Sequence, residues 1–331
     1  MADRESDEKL LKEIRESFDY MLAEWRDIRE EAKTDMRFIA GDAWDPQERE
    51  SRRANARPCL DFDQLSQYVN HIVNDARISK RAVKLTPKGN GATDELANFR
   101  ANLIREIEYR SNAQVAYTTA FQDAVERSYG YFRIGSQYVS PDSFDQELRI
   151  RRIPNPDTVL LDPDAKEADF SDGLRAFVID TVSIKEFSKR WPDAQVKTFT
   201  GEITQLAPSW IKENRIQVAE YWRVDSTGRT LLLIEDPTTG QTVKVYLDEM
   251  KGAHVRDAEL LLPDGTFRRI LNRTKTPQPK VMQYITNGVE ILEEHGWPGK
   301  WIPIVMITGK EMWVDFGNGT KRIIKSAVRL A

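Results

Sequence analysis

Two carboxylates and a lysine stand close together in the chain: Asp157 in "PD" (156–157), then Asp164 and Lys166 in "DAK" (164–166). Two carboxylates holding Mg²⁺ beside a lysine would suit a metal-dependent phosphodiesterase. The second element of such a site belongs on a strand, yet Pro163 and a run of Asp make this stretch a loop. Only residues 158–163 separate the two carboxylates, which is short for two facing strands. The same stretch, "DPDAKEADFSD" (162–172), also opens like a calcium loop with Asp162 and Asp164. Lys166 then occupies the third ligand position, and the turn glycine is missing. A solvated acidic loop is the simpler reading. A nuclease using Asp157, Asp164 and Lys166 is the alternative.

Other chemistries have less to stand on. The three histidines, His71, His254 and His295, show no metal-ligand or triad spacing. "GWPGKW" and "ITGKEMW" each contain Gly-Lys, but lack the upstream glycine and the following Ser or Thr of a phosphate-cradling loop. The single cysteine, Cys59, cannot staple the fold and fits a reducing compartment. The sequence thus predicts no enzymatic activity and no cofactor.

The chain has 331 residues, 31% of them charged and 40% hydrophobic, with a net charge of −4. That suffices for a sizeable core. It argues against tight non-specific DNA binding over the whole surface, which needs an excess of Lys and Arg. No run of apolar residues is long enough for a membrane span, and the charged N-terminus lacks a signal core. The eight tryptophans are spread along the chain. Only Trp297 and Trp301, beside Lys300, approach the aromatic-and-basic mixture of a single-strand binder. Core or subunit packing suits them better.

Some elements follow from periodicity. Leu10, Ile14, Phe18, Met21, Trp25 and Ile28 recur at four, four, three, four and three, predicting an amphipathic helix over 8–31. Its seam either faces the core or meets another subunit. Residues 41–58 read as a long loop, 61–79 as a helix with apolar Leu65, Tyr68, Val69, Ile72 and Val73, and 83–94 as a short strand and turn. A helix pair follows from Asp94 to Arg127. After Gly130 the period shortens to two and strands dominate, with short helices at "SIKEFSKRWP" and "SWIKENR". Helices first and strands second predict an α+β fold. At the C-terminus, "GTKRIIKSAVRLA" (319–331) returns to helix period through Ile323, Ile324, Ala327, Val328 and Ala331.

The order and spacing of three stretches resemble the portal proteins of tailed double-stranded DNA bacteriophages, in the short-tailed branch. They are "FIAGDAWDPQERESRRANARPCLDFDQLSQYVNHIVND" (38–75), "YGYFRIGSQYVSPDSFDQELRIRRIPNPDTVLLDPDAKEADFSDGLRAFV" (129–178) and "GKWIPIVMITGKEMWVDFGNGTKRIIKSAVRLA" (299–331). None is a catalytic motif. The resemblance implies a head-to-tail connector, a homo-oligomeric ring usually of twelve copies at one capsid vertex of the virion, assembled in the host cytoplasm. The genome is packaged and ejected through its channel. Expected partners are the major capsid and scaffolding proteins, the terminase packaging motor, a tail adaptor, and double-stranded DNA passing without sequence specificity. No membrane is implied.

In that frame 1–128 is the helical part of the wing, 129–316 its β-rich part, and 317–331 the start of the stem helix. The remaining stem, the clip and the crown are expected to lie outside this sequence. Lys321, Arg322, Lys325 and Arg329 become candidates to face DNA in the channel, or else a solvated helix face. Trp25, Ile28, Trp44, Trp297 and Trp301 are candidates for the subunit interface. A monomeric assembly adaptor with a partner-binding N-terminal seam is a further alternative.

Overall fold

The computed structural model describes residues 2–42, 44–79, 82–88, 92–196, 215–235, 240, 242–250, 254–256, 259–262, 266–315, 317 and 320–330. Five helices come first: α1 (Ala2–Ile39), α2 (Pro46–Ala54), α3 (Leu65–Ile78), α4 (Asp94–Ser111) and α5 (Ala113–Arg127). Strands β1 (Tyr129–Tyr138), β2 (Gln146–Arg152), β3 (Val159–Leu161) and β4 (Arg175–Ser183) follow, then α6 (Ile184–Arg190). The rest is β5 (Arg215–Glu235), β6 (Thr242–Tyr246), β7 (His254–Arg256), β8 (Glu259–Leu261), β9 (Phe267–Thr286), β10 (Ile291–Trp297), β11 (Ile304–Thr308), β12 (Lys310–Asp315), β13 (Thr320–Lys325) and α7 (Ala327–Leu330). The chain is α+β.

All described strand pairs are antiparallel. One sheet has the order β11-β1-β2; a larger one runs β3-β4-β5-β9-β8-β7, with β10 also on β9 and β6 also on β5; β12 and β13 form a separate hairpin. The α1 seam closes the main core. Ile14, Phe18, Met21 and Trp25 pack with Leu160 of β3, Phe177 of β4 and Tyr221 of β5. Phe18 meets Phe177 edge-on at 5.3 Å. The seam therefore faces the core of its own chain, since this sheet surface is apolar and unpolarised groups gain most from dry contact there.

Several elements depart from expectation. Pro46–Ala54 is a helix within the expected 41–58 loop. Asp45 caps it by accepting from Gln47 and Glu48 amides, with Pro46 in the first turn. Pro there loses no needed hydrogen bond, and Glu48 favours the helix N-terminus. Residues 83–88 form no strand. β5 and β9 are single strands of 21 and 20 residues where shorter pieces were expected. Pro277 and Pro279 do not interrupt β9 because, among the described residues, only β5 pairs with it there; β8 pairs with 267–269 and β10 with 281–286. The helix expected from 319 is corrected too. Residues 320–325 form β13, with Ile323 opposite Met312 and Arg322 opposite Trp313, and helix begins only at Ala327. Over six residues an apolar pair satisfies either period, and β-branched Ile323 and Ile324 suit a strand. Residues 209–214 of "SWIKENR", Trp210 among them, and Ala331 lie outside the described residues.

Candidate functional site

The C-terminal segment carries the clearest charged site. It docks where α1 crosses the acidic loop 162–172. Lys321 Nζ reaches Asp27 of α1 at 3.0 Å. This bond holds the Asp27 carboxyl below its usual range. Arg322 is nearly enclosed. Its Nη1 donates to the Ala165 carbonyl at 3.0 Å, and its Nη2 to the Glu167 carbonyl at 3.2 Å and to Glu311 of β12 at 3.0 Å. The guanidinium also lies over the Phe170 ring at 4.1 Å. A planar fork suits such a site, since it makes several bonds at once while stacking on an aromatic face.

Farther on, Ser326 Oγ donates to Asp35 Oδ2 at 2.7 Å, and Arg329 Nη2 to Asp35 Oδ1 at 2.7 Å. That pairing raises the Arg329 guanidinium above its ordinary value. Arg329 also lies 3.4 Å from Glu31. Ser326 caps α7 as well, accepting from the Arg329 amide. Three of the four cations expected to face DNA are thus tied to carboxylates of their own chain. Lys325 is half-buried and has no ion-pair partner among the described residues.

The acidic loop is held largely by its own backbone amides. Burial pushes Asp172 up, but the amides of Lys166 and Glu167 outweigh it and hold the carboxyl below its usual range. Asp162 accepts from the Asp164 and Leu174 amides. Asp164 accepts from the Tyr20 hydroxyl at 3.1 Å. A cavity of about 300 Å³ opens here, lined by Tyr20, Trp25, Asp164, Lys166, Trp313 and Arg322 among others. Asp157 lines a different cavity, of about 260 Å³, with Arg133, Arg152 and Asp180. Its carboxylate is engaged by the Tyr129 hydroxyl at 2.7 Å and by Arg127 at 3.3 Å. The fold thus assigns Asp157 and Asp164 to separate cavities. No group of three His, Cys, Asp or Glu side chains placed to hold a metal occurs among the described residues.

The profile of the phage P22-like portal proteins matches residues 15–331. The chain belongs to that family. A curated portal protein of Acyrthosiphon pisum secondary endosymbiont phage 1 is 25% identical over 263 residues, covering 78% of this chain and 36% of that protein. The chain therefore spans little more than a third of that portal protein's length. No helix among the described residues is long and apolar enough to cross a membrane.

The tryptophans divide by environment. Trp25 is buried, donates to the Leu161 carbonyl at 2.8 Å and packs on Tyr129 and Phe170. Ile28 is half-buried against the same core. Trp297 meets Trp222 edge-on at 6.2 Å. Trp44 is covered on one face by Arg52 at 4.2 Å, and Trp301 is exposed. Sequence reasoning missed Asp27, Asp35, Ser326 and Glu311. Asp27 and Asp35 meet Lys321, Ser326 and Arg329 of the C-terminal segment only through folding, and no spacing announces the contacts.

Proposed function

We propose that this chain is a structural subunit of a phage portal ring. The ring sits at the capsid vertex of the virion, conducts the genome during packaging and ejection, and docks the packaging motor and the tail. The observation that carries the reading is the family match over residues 15–331. In this reading twelve copies close the ring, 1–128 and 129–316 build the wing, and 317–331 leads towards the stem. Capsid and scaffolding proteins, the terminase and a tail adaptor are the protein partners, with assembly in the host cytoplasm. The subunit itself carries out no bond-breaking step; an external ATPase drives the DNA.

The charge arrangement supports passage without adhesion. Lys321, Arg322 and Arg329 are neutralised by Asp27, Glu311 and Asp35. A ring of such pairs lacks the belt of uncompensated cations that would grip phosphates. Lys325 and the exposed Lys321 are the members best placed to meet a passing backbone. Trp44 and Trp301, which expose more of their surface than Trp25, are the better interface candidates of the set.

Native mass measurement and electron microscopy of the purified chain, and of the longest form of its gene product, test this. A closed ring near twelve copies is expected of the longest form. A monomer there, or Mg²⁺-dependent plasmid cleavage lost in Asp164→Asn, would overturn the reading.

A further inference from the structure

Helices α3 and α4 present their large apolar side chains outward. In α4, Ala97 and Ala101 are buried, whereas Leu96, Phe99 and Leu103 are exposed, Phe99 at 66%. Positions i, i+3 and i+7 lie on one helix face. In α3, Val69 and Val73 are buried while Tyr68 and Ile72 are exposed, Tyr68 at 69%. Each helix therefore has an apolar arc wider than the described residues cover. Contiguous exposed apolar surface of this kind marks an interaction site.

The two stripes are separate. α4 packs on the first half of α5, through Ile107 with Ala113 and Ala116. α3 packs on the second half, through Val69 and Val73 with Phe121 and Val125. They also differ in charge. Asp75 stands one turn beyond Ile72 on the α3 stripe, and Arg100 lies among the α4 residues, one turn after Leu96. Two distinct, complementary patches on one chain are what a head-to-tail contact requires, whereas a two-fold dimer would need a single self-complementary patch.

We propose that the α4 stripe of one copy packs on the α3 stripe of the next, with Arg100 facing Asp75. This rests on the ring reading and names the surfaces that would close it. Copies of one chain supply both halves in equal number, and ridges at three- and four-residue spacing are the ordinary means by which helices pack.

The test uses Phe99→Asp and Tyr68→Asp in the full chain, both at exposed positions, with circular dichroism to confirm folding. Sedimentation velocity or native mass spectrometry reads the assembly. Wild type is expected to self-associate, and each variant alone to do so at least about tenfold more weakly. Their equimolar mixture should form a two-chain species and nothing larger, because each variant keeps one intact stripe. Asp75→Arg should weaken association, and adding Arg100→Asp should restore it. If wild type associates but the mixture stays monomeric, the ring reading stands and this assignment of surfaces falls. If wild type stays monomeric at all concentrations, the stripes do not join copies, and the assignment falls while family membership is untouched. Variants that self-associate normally but lose capsid or scaffolding protein would give the stripes to that partner and likewise overturn it.

Discussion

Asp35 and Arg329, separated by 294 residues in sequence, form a two-point ion pair: Oδ1 of Asp35 accepts from Arg329 Nε at 3.0 Å and from Nη2 at 2.7 Å. The other carboxylate oxygen accepts from Ser326. The N-terminal helix α1 is thereby latched to the C-terminal turn α7. Asp35 is the more enclosed partner, its side chain 6% exposed against 28% for Arg329. Removing the arginine strands a buried carboxylate, while removing the carboxylate lets the arginine reach water. Arg329→Ala should therefore cost about 2–3 kcal/mol, between the surface and fully buried cases, and more than Asp35→Asn. Urea denaturation of the two variants checks the order; the reverse order would refute the latch.

Trp25 separates a core seam from a partner-binding one. Its indole is packed on two rings and its N–H is satisfied by Leu161. Trp25→Ala should destabilise the chain by about 3–5 kcal/mol. Trp25→Phe should cost about 1–2 kcal/mol, much of it from the orphaned carbonyl. Both losses should appear in thermal melts independently of protein concentration. A stable Trp25→Ala chain that merely fails to associate would contradict the packing.

Asp123 on α5 should make stability depend on pH. Burial lifts its carboxyl to about 7, against the pull of Arg127, with Glu126 and Asp157 adding to the rise. The folded chain then keeps a proton that the unfolded chain has lost. The group's stabilising contribution is complete below about pH 4 and is lost as pH rises to about 7. Asp123→Asn, which stays neutral, should gain on wild type by on the order of 1–3 kcal/mol between pH 4 and pH 8. Parallel denaturation curves at the two pH values measure the difference; an unchanged gap would show that Asp123 ionises normally.

Gly130 allows β1 to lie directly against α5. A Cβ at this position would run into the carbonyl oxygen of Ala120, backbone that cannot swing aside. Gly130→Ala should cost about 1–3 kcal/mol or more through forced separation of the two elements. Gly135, on the same strand, has nothing within 4 Å of such a Cβ. Gly135→Ala should leave the melting temperature nearly unchanged, and equal effects at the two sites would refute the close approach.

Where local signals are long or chemically specific, the sequence is legible. The α1 period spans several turns, and the structure buries that seam. Ser183 at the start of α6 accepts from the Glu186 amide as a cap should. Asp45-Pro46 with Glu48 also announces a helix start, yet charge without an apolar stripe hid α2, which has no buried residue. Its helix is supported by capping and by neighbours rather than by a core face. Residues 320–325 fail differently. Six residues with one apolar pair do not distinguish the two periods, and pairing with β12 decides for the strand.

The α+β order, the helical seam of α1, the dominance of strands after Gly130 and the resemblance to portal proteins all follow from the sequence itself, because each depends on neighbouring residues or on their order. Which faces stay uncovered does not. Leu96 and Ala97 are adjacent in the chain, and hydrophobicity alone would bury the larger; the tertiary fold buries the alanine and leaves the leucine outside. The cations of the C-terminal segment tell the same story. Composition counts Lys321, Arg322 and Arg329 as positive charge available to phosphates. Only the tertiary structure brings Asp27, Glu311 and Asp35 against them, because Coulomb energy depends on distance in space and not on separation along the chain.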